Sequence, residues 1–77
     1  MQLNQFGKNQ TEVKHNGIKV FFSYKTPVAV EIDQPRQVYV TTEKFSATTT
    51  RHINNWLGGN QNVERVSQEE IERLTKF

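Results

Sequence analysis

Lys44–Gly59 reads K-F-S-A-T-T-T-R-H-I-N-N-W-L-G-G, and it predicts one short helix with both ends marked. Ser46 or Thr48 is the cap, because a side-chain oxygen there accepts an otherwise orphaned backbone N–H. Phe45, Thr49, Ile53, Trp56 and Leu57 fall near one side at helical spacing. Gly58 and Gly59 supply the left-handed stop. A helix with one apolar stripe needs a surface to cover, and that need decides the fold class.

The surface comes from upstream. Thr11–Tyr24 reads as a hairpin around Asn16-Gly17, a pair suited to the positive φ values of a two-residue type I′ turn. This register sets His15 opposite Ile18 and Val13 opposite Val20. Thr11, Val13, His15, Ile18, Val20, Phe22 and Tyr24 then share one face, and Glu12, Lys14, Lys19, Phe21 and Ser23 the other. After Pro27, Val28–Ile32 alternates again. A turn at Gln34-Pro35-Arg36 leads to a fourth strand carrying Val38, Val40 and Thr42. The parity closes with Phe22 facing Val30 and Ile32 facing Val38.

Downstream, Ser67 and Glu70 match a capping box, with Val66 and Ile71 at the positions of a hydrophobic staple. Glu69 and Glu70 lie at the positive end of that helix, Arg73 and Lys76 at its negative end. The expected fold is therefore α+β, a four-stranded antiparallel meander sheet with two C-terminal helices packed on one face. Residues 1–10 are expected to be a flexible N-terminal arm, and residues 11–77 a single α+β domain.

At 77 residues, such a chain buries only roughly 60–65% of its unfolded surface. It has no cysteine, so no disulfide or thiolate metal site holds it together. The polar start lacks an apolar leader, and no apolar run approaches the roughly 20 residues of a membrane helix. The expectation is a cytoplasmic protein with no membrane contact. Ten Lys+Arg against eight Asp+Glu give a net charge of +2. Acids and bases interleave along the chain, a weak pattern for a dedicated nucleic-acid binder.

Two surfaces are candidates for binding. On the expected register the uncovered sheet face carries a row with Lys14 and Lys19 and a row with Phe21 and Tyr39. Aromatic rings near lysines suit base stacking on a single strand, although Glu12 and Glu31 sit among them. The second surface is the outer stripe of the first helix. Thr48, Arg51 and Asn55 recur at spacings of three and four. Arginine and asparagine read guanine and adenine edges, and threonine and Lys44 suit phosphate. The bland alternatives are a cross-strand-paired sheet face and a solvated helix stripe.

Other chemistry finds little support. His15 and His52 lack the partners and spacing of a zinc site, and no metal or cofactor is expected. Ser23, Ser46 and Ser67 lack a nucleophile context such as G-x-S-x-G. Gly58-Gly59 follows a helix, where a phosphate-binding loop precedes one. The chain reads as a non-enzyme.

The F-S-Y-x-T-P-V-A hairpin segment and the T-T-x-R-H-I-N-x-W-L-G helix resemble a group of small tailed-bacteriophage proteins. The likeness spans about Gly17 to Gly59, with the terminal helix following in the same order. It implies a phage origin and a host-cytoplasm setting, with no assigned chemistry to carry over. The expected function is that of a non-catalytic phage accessory protein that binds and modulates a macromolecule. A host or phage protein partner ranks slightly ahead of nucleic acid, on the grounds of balanced charge and aromatics on an open sheet. The alternative is a DNA- or RNA-binding module using the outer face of helix 46–57. An edge strand offers a route to a homo-oligomer.

Overall fold

In the computed structural model, residues 2–7 (backbone), 9–33, 36–59 and 62–75 are described. The elements run β1 (Gln2–Gly7), β2 (Gln10–His15), β3 (Ile18–Ser23), β4 (Thr26–Ile32), β5 (Gln37–Thr41), α1 (Ala47–Leu57), β6 (Val63–Val66) and α2 (Gln68–Leu74). They form one six-stranded sheet in sequence order. The first five strands are an antiparallel meander. β6 then joins β5 in parallel, with α1 as the crossover that a parallel pair requires.

The α+β class therefore holds, while the four-strand antiparallel sheet is corrected to a mixed sheet of six. Residues 2–7 of the expected flexible arm form β1, paired along β2. Asn9, at φ 63°, helps turn the chain between them; asparagine tolerates that conformation better than most residues. Val63–Val66, which is not among the four expected strands, is β6. Gln34 and Pro35 of the expected turn, and Lys76, lie outside the described residues.

The first hairpin forms as its sequence dictates. Asn16 and Gly17 both have positive φ, and His15 pairs with Ile18 and Val13 with Val20. The next register differs from expectation. Val20, not Phe22, faces Val30, and Ile32 faces Gln37 rather than Val38. The β3–β4 turn is tight, with Ser23 opposite Thr26, and the pair carries a β-bulge. Phe21 pairs with Ala29 and Phe22 with Pro27, so Val28 is an extra residue without a partner. Pro27 has no N–H to give a ladder, and a bulge is one of the few sites in a sheet that accepts it.

The bulge decides how the core divides. Val28 joins Phe21, Ala29, Val38 and Val40 in a cluster closed by Ile53, Trp56 and Leu57 of α1. Val20 and Val30 belong to a second cluster, closed by Ile71 and Leu74 of α2. Val20 and Phe21 are adjacent in β3 and point to opposite faces. The two helices thus cover opposite faces, which corrects the expectation that both pack on one. The runs Val20-Phe21-Phe22 and Val28-Ala29-Val30 suit strands buried on both sides.

Both helices are capped. Ser46 Oγ accepts the Thr49 N–H at 3.1 Å, and Gly58 closes α1 in the left-handed conformation at φ 60°. Ser67 Oγ accepts the Glu70 N–H at 3.2 Å. The Glu70 carboxylate turns outward to Arg73. Val66 and Ile71 meet in one cluster, as a hydrophobic staple requires.

Candidate binding surface on the first helix side

α1 lies over β3 with a buried polar seam at its start. Ser23, at the end of β3, sends Oγ to within 3.2 Å of Thr49 Oγ1 and 2.9 Å of His52 Nδ1. Ser46 Oγ adds a bond to Thr49 Oγ1 at 3.3 Å. Ser23, Thr49 and His52 are all buried. Together these contacts make the group a polar clamp between strand and helix. Farther along α1, Trp56 stacks on Phe21 with centroids 5.2 Å apart and planes 15° from parallel. Its Nε1–H donates to Glu12 Oε1 at 2.9 Å.

Just past the clamp, Tyr24 opens the turn between β3 and β4. Its φ is 60°, a left-handed value that costs a non-glycine residue about 1–2 kcal/mol. Its N–H donates to the Asn9 carbonyl at 2.7 Å, which ties this turn to the β1–β2 turn. The ring lies 5.8 Å from the His52 ring, tilted by 41°, yet the residue stays 50% exposed. Phe45, before α1, is 45% exposed. Both line one open pocket of about 240 Å³ with Ser23, Val28, Ser46 and Thr49. Sequence reading passed over Tyr24 and Phe45. The first looked like a strand residue and the second like part of the apolar stripe.

Of the residues singled out from sequence, Thr48, Arg51, Asn55 and Lys44 are exposed on or beside α1. His52 lies between Thr48 and Asn55 at helical spacing, so Tyr24 borders this stripe. Lys14 and Lys19 face each other across β2 and β3 on the Phe21 side of the sheet. The aromatic platform is corrected. Phe21 is fully buried beneath Trp56. Tyr39 pairs with Val30 and belongs to the α2-side cluster. Neither forms an open stacking row, because α1 covers one face and α2 the other.

A second groove runs between α1 and the ends of β5 and β6, with Thr42, Lys44, Thr50, Asn54 and Arg65 on its walls. The sheet's edges are β1 and β6. Among the described residues, no group of three or more His, Cys, Asp or Glu side chains is placed to hold a metal ion. No described helix is long and apolar enough to cross a membrane.

No curated protein and no solved structure matches the chain. A family model does, across residues 1–73 and hence every strand and α1: the chain belongs to a family of unknown function, DUF8033.

Proposed function

We propose that this protein is a non-catalytic binding module that engages a macromolecule through the α1 side of its sheet. The observation that carries the reading is Tyr24. An aromatic residue occupies a left-handed turn position that glycine or asparagine fills at lower cost. Its ring is half exposed, and Phe45, the other large exposed apolar side chain among the described residues, lines the same pocket. Strain held at an exposed aromatic position is a mark of function rather than of packing. Thr48, Arg51 and Asn55 extend the surface along α1. In the phage setting that the sequence resemblance implies, the partner is a host or phage macromolecule. The grounds that ranked a protein partner first were an open aromatic sheet face and evenly mixed charge. A sheet covered on both faces removes the first.

The test is Tyr24→Asn. Asparagine accepts the left-handed conformation, so the unfolding free energy should stay within about 0.5 kcal/mol of the parent, as for surface changes in general. The partner captured from a host lysate should be lost, while a control change on α2, Glu72→Gln, should retain it. A Tyr24→Asn protein that keeps its partner, or that melts well below the parent, assigns the ring a packing role and sinks the reading.

A further inference from the structure

The fold sorts charges that the sequence interleaves. Cross-strand partners share a face, so Lys14, Lys19 and Arg65, through Phe21, Val38 and Val40, can be placed on the α1 side. Lys19 pairs with Glu31 and Glu31 with Val38. Arg65 pairs with Val40 and lines the groove under α1. Lys44 lines the same groove, and Arg51 is exposed on α1 itself. The acids on this side are fewer. Glu31 is paired with Arg36 at 3.3 Å, Glu12 accepts from the Trp56 indole and keeps its charge, and Glu43 lines the groove with Lys44 and Arg65. The α2 side has the opposite character. Glu64 pairs with Tyr39 there, and Glu69, Glu70 and Glu72 ride on α2 with Arg73 bound to Glu70.

Lys14 directly opposite Lys19 is a second, independent sign. Like charges at directly opposed positions repel. Among the described residues, neither has an ion-pair partner. An anion laid across the pair relieves that repulsion. From this charge complementarity, and resting on the binding reading above, we infer that the α1 side takes single-stranded nucleic acid. The phosphates run along Lys14, Lys19, Arg51 and Lys44, and a base docks between Tyr24 and Phe45. The exposed rings decide for a single strand, because a duplex keeps its base faces stacked and out of reach.

The experiment is fluorescence anisotropy of a labelled dodecathymidylate with the full chain, in a salt series, beside a duplex of equal length. Neutralising about four phosphates on a single strand gives a log–log slope near −2.8, so affinity should fall roughly 50-fold from 50 to 200 mM salt. Lys14→Glu should weaken binding several-fold while raising the melting temperature, since it turns a repelling pair into an attracting one. Tyr24→Asn should weaken the single strand more than the duplex. Glu69→Gln, on the opposite face, should leave binding unchanged.

Several results overturn the inference. Equal loss with Glu69→Gln and Lys14→Glu assigns the effect to overall charge. A duplex bound as tightly as the single strand, with Tyr24→Asn indifferent, removes the base pocket. No binding at low salt removes the nucleic acid altogether. In that last case, a lysate partner that survives nuclease and is still lost with Tyr24→Asn leaves the binding reading standing, with a protein as its object.

Discussion

Trp56 and Glu12 lie 44 residues apart and are joined by one hydrogen bond, indole Nε1–H to Oε1 at 2.9 Å. It ties the last turn of α1 to β2, while the Trp56 ring lies on Phe21 of β3. Glu12 is 8% exposed, and a buried carboxylate is tolerated when it is hydrogen-bonded. Glu12→Ala removes the acceptor and strands the indole N–H, at an expected cost of about 1–3 kcal/mol. Glu12→Gln keeps an acceptor and should cost less. Urea unfolding followed by fluorescence reads both directly, because Trp56 is the only tryptophan. Equal stability for Glu12→Ala and the parent would show that the bond contributes nothing net.

The Ser23–His52 bond works as part of a network, and its members should not act additively. Ser23→Ala leaves His52 Nδ1 without its 2.9 Å partner, while Thr49 keeps Ser46. A double-mutant cycle of Ser23→Ala with His52→Leu should return a coupling of about 0.5–3 kcal/mol, as expected of residues in one network. Coupling near zero would mean that the two side chains are satisfied independently.

Gly58 ends α1 at φ 60°, and a Cβ built there meets nothing within 4 Å. The cost of Gly58→Ala is therefore backbone strain alone, about 1–2 kcal/mol for an L-residue in the left-handed region. Gly58→Asn should recover part of it, since asparagine also serves at this position. Thermal unfolding of the two variants gives the order, and equal midpoints would argue that the helix end rearranges to escape the strain.

Placing the helices on opposite faces makes a prediction of its own. Ile53 and Ile71 belong to separate clusters on the two sides of the sheet. Ile53→Val and Ile71→Val should each cost about 0.5–1.5 kcal/mol. The double variant should equal their sum to within about 0.5 kcal/mol, because distant sites without shared partners add. A larger departure would place the two side chains in one core.

The local signals in this chain were legible, and the global ones were not. Asn16-Gly17, Ser67 and Gly58 each act within a few residues, and each does in the structure what its chemistry requires; the Glu70 half of the expected capping box instead binds Arg73. The two-sided burial of β3 and β4 was written in Val20-Phe21-Phe22 and Val28-Ala29-Val30. Strict alternation was the wrong template for those runs. The bulge at Val28 depends on which strand lies alongside, so no window of sequence contains it. β6 is a strand only because β5 offers an edge and α1 returns the chain to it; V-E-R-V by itself carries little pattern. At the candidate surface, the stripe Thr48, Arg51 and Asn55 followed from helical spacing. Tyr24 escaped because nothing in F-S-Y-K-T-P marks a left-handed tyrosine. The charge division escaped because it is a property of faces, not of order along the chain.

Glu70 and Arg73 give the acid limb of stability a definite sign. The side-chain hydrogen bond from Arg73 is the main cause that holds the Glu70 carboxyl below its ordinary value of 4.5, with the guanidinium charge acting the same way. A carboxyl depressed in the folded state adds stability above its unfolded pKa, and that stability is lost as pH falls through the folded one. The contribution of this pair should therefore be complete near neutral pH and fade below about pH 4.5, the ordinary value for such a group. Both groups are exposed, so the effect is small and screened by salt. Glu70→Gln leaves the Ser67 cap intact, because that bond uses the backbone N–H. The parent-minus-variant difference in stability should shrink between neutral and acid pH, and shrink again when salt is added at neutral pH. A difference that holds constant across that range would assign the loss to helix propensity and not to charge.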